Sequence, residues 1–145
     1  MGLLVVAVAL VSSFQAPEYN FEFQKTVYPE KLFVQGQNHL KKVGVKRIFV
    51  PHRWGGALLY HFDGKYLNFI DSRNDCFSRE VWNDYFTIIN TRSKWFDTWN
   101  KYDPQAAFLP NSTPLTRKLQ AQNWQVKAQN KQGILLLKPQ VSKKK

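Results

Sequence analysis

Three charged side chains fall within five positions at Asp71, Arg73 and Asp75, in the run Phe69-Ile70-Asp71-Ser72-Arg73-Asn74-Asp75. Two carboxylates so close can hold a divalent cation through their oxygens, and a guanidinium between them can grip a phosphate or a sugar carboxylate at two points. The same residue types also have a purely structural use. Asp and Asn in turns accept hydrogen bonds from nearby amides, and Arg73 would then pair with one of the acids. A second group, His52-Arg53-Trp54-Gly55-Gly56, offers a cation, a ring for stacking and two glycines that let a ligand or another backbone come close. Its structural alternative is a tryptophan that plugs a sheet edge. The candidate substrate-binding residues are therefore His52, Arg53, Trp54, Gly55, Gly56, Asp71, Arg73 and Asp75, with no catalytic residue and no metal ligand assigned.

Other chemistries find little support. His39, His52 and His61 are not at zinc-ligand spacing, and no serine has a nucleophile-elbow context. Phosphate-cradling glycine loops of the P-loop or dinucleotide type are missing, so no cofactor is expected. The single cysteine, Cys76, rules out an internal disulfide and a cysteine-built zinc site. A small metal-dependent hydrolase using Asp71 and Asp75 stays open. A nuclease would need acids joined to a lysine across strands, and Asp63, which could join Lys65 and Asp71, is better used in an Asp63-Gly64 turn.

These groups need a scaffold. With 145 residues the chain is long enough for one core and too short for two comfortable domains. Five Trp, six Tyr and eleven Phe supply ample area to bury, so it should fold. Three strands are expected at 45–51, 57–62 and 66–71, the last two joined by Asp63-Gly64 as a type I′ hairpin turn and the first two by the His52 to Gly56 turn. A helix opens at Pro29 and stops at Gly44, with Gly36 weakening its middle. Ser78 caps another helix, on which Val81, Trp82, Tyr85, Phe86, Ile88 and Ile89 form a broad apolar face, and a further one begins at Ser93 with Trp95, Phe96, Trp99 and Tyr102 on one stripe. Both aromatic stripes read as core. A strand at 106–109, a helix capped by Thr113 with Pro114 at its first position, and a hairpin of 124–128 with 134–138 complete the order. Asn111-Ser112-Thr113 matches a glycosylation acceptor, but capping accounts for the same residues.

The fold class is a single α/β domain, a mixed β-sheet with helices packed on it, preceded by a short apolar membrane helix. Its parts are an apolar helix at 1–14, a linker at 15–27, the soluble domain at 28–139 and a basic tail at 140–145. The apolar run is about a dozen residues against the roughly 20 of a full span. It is expected to be the outer end of a last transmembrane helix whose remainder lies upstream. A secretory signal, which would normally carry Lys or Arg ahead of it, and a buried helix are the alternatives. After the run, acids at 18, 22 and 30 outnumber bases at 25 and 31, so this flank lacks the cationic excess of a cytoplasmic side.

Formal charge is +11, which suits nucleic acid, an anionic membrane or a phosphorylated substrate. Nucleic acid is not expected as a partner, because the aromatics follow helical spacing instead of interleaving with Lys and Arg on strands. A basic module binding nucleic acid or anionic lipid is kept as an alternative.

Tyr28-Pro29-Glu30, Arg47-Ile48-Phe49-Val50, Trp54-Gly55-Gly56-Ala57-Leu58-Leu59-Tyr60, Phe69 to Asp75 and Trp82-Asn83-Asp84-Tyr85 resemble the C-terminal domain of a family of bacterial polytopic membrane proteins that are themselves similar to GT-C-type glycosyltransferases. The likeness covers roughly residues 28–137. The chain departs from that pattern at Ala57, where an aromatic is usual, and at Ser72, where glycine is usual. The resemblance implies a membrane-tethered domain facing away from the cytoplasm after the last span. It also implies that the catalytic acid lies in an early extracytoplasmic loop, outside this chain. The expected function is accordingly an accessory, substrate-guiding domain, not catalytic alone, held at the membrane by residues 1–14 and meeting a lipid-linked sugar or phosphate.

Overall fold

The computed structural model describes residues 28–139. The expected apolar helix, the linker and the basic tail lie outside the described residues. Among the described residues no helix is long and apolar enough to cross a membrane.

Helix α1 (Glu30–Val43) leads into β1 (Arg47–Phe49), α2 (His52–His61) and β2 (Leu67–Asn68). A 3₁₀ turn (Asn74–Cys76) precedes α3 (Arg79–Ile89) and α4 (Trp95–Tyr102). Then come β3 (Ala106–Leu109), α5 (Pro114–Ala121), β4 (Gln125–Gln129) and β5 (Ile134–Leu137). The five strands form one mixed sheet in the order β2-β1-β3-β5-β4. β1 runs parallel to both β2 and β3, whereas β5 runs antiparallel to β3 and β4. The expected mixed sheet with packed helices is what the chain builds.

Alternation along the central strands sorts side chains into two cores, as the period of two requires. Ile48, Ala106, Phe108, Leu135 and Leu137 meet Leu32, Phe33, Leu40, Trp54 and Leu58 from α1 and α2 on one face. Phe49, Ala107, Leu109, Ile134 and Leu136 meet Tyr85, Ile88, Trp99, Leu115 and Leu119 from α3, α4 and α5 on the other. Strands covered on both faces read as unbroken apolar runs, which is why Ala106–Leu109 and Ile134–Leu137 are recognisable from sequence. At Gly36 a Cβ would lie 2.8 Å from Leu135 and 2.9 Å from Phe108, so the glycine that weakens α1 lets it settle directly on the sheet.

Two expectations fail at the centre of the chain. Residues 57–62 are not a strand but the second half of α2, to His61, with Phe62 as its C-cap, and the His52 to Gly56 turn is its first half. The reason is topological: β1 and β2 pair in parallel, so the chain between them must cross over a face, and a helix does this while satisfying its own backbone. Asp63-Gly64 has the positive φ at both positions (51° and 64°) that its residue types favour, but it closes a helix, not a hairpin. The Gly64 amide donates to the Leu59 carbonyl at 2.9 Å. The flanking strands are correspondingly shorter than expected, Arg47–Phe49 and Leu67–Asn68. Ser78 caps α3 as expected, its hydroxyl accepting from the Val81 amide at 3.4 Å, and Thr113 caps α5 by accepting from Thr116 at 3.2 Å.

Candidate functional site

β1 and β3 lie side by side in parallel, yet the helix after β1 packs on one face and the helix after β3 on the other. In open α/β sheets such a reversal parts the loops beyond the carboxyl ends of the strands and leaves a crevice where ligands bind. Here Val50 and Pro51 follow β1 and α2 begins at once with His52 and Arg53, on the side of the 3₁₀ turn and α3.

No side chain of its own caps α2. Its first amide, on His52, instead donates to the Tyr85 hydroxyl of α3 at 2.9 Å. Tyr85 is only 7% exposed and its ring stacks on Phe49, so the core holds the hydroxyl in place. Burial pushes the Tyr85 phenol above its usual pKa, opposed by the His52 hydrogen bond and the Arg53 charge, so it stays protonated at neutral pH. The His52 imidazole faces Asn74, with Nε2 2.8 Å from Oδ1; the carbonyl oxygen accepts, so Nε2 carries the proton. The same ring lies 5.2 Å from Trp82, which stacks on Phe86 at 5.7 Å and 27°. Together with Pro51 and Arg53 these side chains line an open groove of about 570 Å³. It offers cationic and hydrogen-bonding groups from the start of α2 together with the half-buried ring of Trp82 and the exposed ring of Phe86, a combination suited to an anion carried on a ring.

The acids have a different fate. Asp71 is 1% exposed and accepts three hydrogen bonds from one residue: Arg73 backbone N at 2.9 Å, Nε at 3.0 Å and Nη2 at 2.7 Å. Those bonds hold its carboxyl below the usual carboxylate range against the opposing effect of burial. Both oxygens are thus committed within the chain, and the structural alternative for this pair is the one realised. Asp75 is exposed on the 3₁₀ turn. Among the described residues no group of three or more His, Cys, Asp or Glu is placed to hold a metal ion.

The glycine-tryptophan half of the second group is also structural. Trp54 is 8% exposed and packs in the core, so it is not the stacking ring proposed from sequence. Gly55 does allow a close approach, but of backbone: a Cβ there would lie 2.4 Å from the Ile70 carbonyl oxygen and 2.6 Å from Asp71 Cα. Gly56 faces the Ser72 hydroxyl in the same way at 3.2 Å. Of the eight candidates, His52 and Arg53 therefore line the groove, Arg73 and Asp75 stand exposed, Trp54 packs in the core, Gly55 and Gly56 let α2 approach the segment after β2, and Asp71 fastens that segment through Arg73.

Asn74, Trp82, Tyr85 and Phe86 were not expected at a site, since the aromatics read as core. The signal lay in the width of the α3 stripe. Trp82 and Phe86 extend it past the line of Tyr85 and Ile88, and a helix on a sheet buries only one such line; Phe86 remains 44% exposed.

A second hollow, of about 340 Å³, opens beside Arg47, Asn68 and Lys101 near the start of β1. Its Lys101 already binds Glu80 at 2.8 Å and Asp84 at 2.9 Å, which raises its pKa and leaves its charge matched. The first groove has no such internal counterion among its lining residues. Compared with family models, with curated proteins and with solved structures, the chain matches none.

Proposed function

We propose that this chain is the C-terminal accessory domain of a membrane-tethered, GT-C-like glycosyltransferase-type protein, and that it guides substrate on the extracytoplasmic side without performing transfer itself. The groove beyond β1 carries the reading: His52 lies against the half-buried ring of Trp82, and Arg53 and the exposed ring of Phe86 line the same groove, a combination that supports ligand binding. The resemblance of residues 28–137 and the acid-rich flank after the apolar run support the membrane setting and its side. The small metal-dependent hydrolase is the weaker reading, because Arg73 occupies both oxygens of Asp71.

The test is a transfer assay on the membrane parent with lipid-linked sugar donor. Arg53→Ala should raise the donor concentration needed for half-maximal rate and leave the maximal rate nearly intact, since guiding affects capture and not chemistry. A maximal rate abolished with capture unchanged would place Arg53 in the chemical step and overturn the guiding role.

A further inference from the structure

Away from that groove and independently of the guiding role, we propose that the hollow at the start of β1 binds an organic acid. Its carboxylate would be held by the Arg47 guanidinium, and its apolar body would cover Leu67 and the paired rings of Phe69 and Tyr102.

Strand geometry brings these groups together. Alternation puts Arg47 on the same face of β1 as Phe49, which lies in the core with Tyr85 of α3 and Trp99 of α4. Arg47 pairs in register with Leu67 of β2, and Phe69 follows two residues later on that face. The end of α4 covers only part of this corner, and a hollow of about 340 Å³ stays open between the two strands, Tyr102 and Pro104. Leu67 is left 65% exposed there, on a strand at the edge of the sheet. A ligand that covers such a side chain gains in proportion to the apolar area it removes from water.

The walls are fixed in advance. Tyr102 donates its hydroxyl to Asp84 at 2.7 Å and meets Phe69 edge-on at 4.3 Å, so neither ring has to be ordered by a ligand. Glu80 and Asp84 turn to Lys101, and among the described residues no carboxylate lies within ion-pair distance of Arg47. An exposed guanidinium without a counterion, at the mouth of a partly apolar hollow, is open to one that arrives with a ligand.

The donors present favour a planar anion over a tetrahedral one. Backbone amides that could help cradle a phosphoryl group are occupied: Gln105 Oε1 accepts those of Lys46 and Arg47 at 2.7 and 3.1 Å, and the Leu67 amide donates to the Lys46 carbonyl at 2.9 Å. Recognition falls to one fork of parallel N–H groups, which matches the two oxygens of a carboxylate.

The experiment is an NMR titration of the isotope-labelled full chain, in one mild detergent throughout, with hydrocinnamate, hydrocinnamide, acetate and N-acetylphenylalanine. Hydrocinnamate should give saturable shifts with a Kd of about 1–10 mM. These should cluster at residues 46–48, 67–69 and 101–102. Hydrocinnamide keeps the ring without the charge, acetate keeps the charge without the ring, and each should bind more weakly by about tenfold or more. If N-acetylphenylalanine binds more tightly than hydrocinnamate, the source is the C-terminal carboxylate of a peptide, whose amide can pair along the open edge of β2; if it binds no better, the source is a free acid. Arg47→Gln should weaken hydrocinnamate about tenfold or more, whereas Lys118→Ala, on α5, should not. Should Arg47→Gln fail to fold, the contrast between hydrocinnamate and its amide on the unaltered chain decides. The proposal is overturned by the absence of saturable shifts to about 50 mM, by shifts centred on His52 and Arg53 instead, by an amide that binds as tightly as the acid, or by Arg47→Gln binding hydrocinnamate undiminished.

Discussion

Arg73 folds back over two residues to clasp Asp71 with its guanidinium and its own amide, so that a carboxylate 2% exposed is neutralised by a side chain 67% exposed. The acid is thereby turned from a possible ligand into a fastener for the segment after β2, and the open groove beside it is left to His52 and Arg53.

The fastener has a pH signature. Arg73 holds the folded-state pKa of Asp71 below the unfolded value of about 3.9, so between the two the unfolded chain binds more protons and stability rises with pH. Asp71→Asn should cost about 1–3 kcal/mol near neutral pH. The gap in melting temperature between the two proteins should hold from about pH 7 to 5 and close as the pH falls below about 4. A gap unchanged at about pH 2.5 would mean that the ion pair is not its source.

Gly55 and Gly56 separate packing from helix propensity. Both sit in the first half of α2, where alanine should favour a helix by about 0.5–1 kcal/mol. At Gly56 the new methyl meets only the Ser72 hydroxyl, which can turn aside, so Gly56→Ala should be neutral or mildly stabilising. At Gly55 it meets backbone, and Gly55→Ala should cost about 3 kcal/mol or more. Equal effects in chemical denaturation would contradict the docking of α2 on the segment after β2.

What the sequence makes legible is what local chemistry alone determines. Ser78 and Thr113 cap helices with their own side chains, and Ala106–Leu109 and Ile134–Leu137 are unbroken apolar runs, so neither needs a distant partner to be recognised. Residues 52–61 are different. Trp54, Ala57, Leu58 and His61 recur at helical spacing, but paired glycines and a following Asp-Gly imitate strand punctuation. Only the parallel partnership of β1 with β2, set by contacts far along the chain, decides for a helix. The site was half legible for the same reason. His52 and Arg53 announce themselves by type, whereas Trp82 and Tyr85 share one apolar stripe and are told apart by which way the sheet lies.

The two tryptophans that exchange roles make this measurable. Trp54→Ala removes a buried core ring and should cost about 3–5 kcal/mol, enough to threaten folding. Trp82→Ala removes a ring at a groove wall and should cost about 1–2 kcal/mol while leaving a cooperative transition. The reverse order in thermal melts would return Trp54 to the surface.

Between α3 and α4, Lys101 and the Tyr102 hydroxyl both donate to Asp84, at 2.9 and 2.7 Å, while Glu80 shares Lys101 from a more exposed position. Burial raises the pKa of Asp84, yet the bonds from Tyr102 and Lys101 outweigh it and leave the acid shifted downward. Asp84→Ala should therefore cost about 1–2 kcal/mol and Glu80→Ala no more than about 0.5. Comparable losses from the two would show that Lys101, not the half-buried carboxylate, organises the contact.

The proposed membrane setting is open to the most direct test through Cys76, the one cysteine of the chain and exposed in the 3₁₀ turn before α3. In the proposed membrane parent, with cysteines outside this chain replaced, a membrane-impermeant maleimide is applied to intact cells. An extracytoplasmic accessory domain is labelled at Cys76 before the membrane is broken; labelling that appears only after permeabilisation contradicts the account.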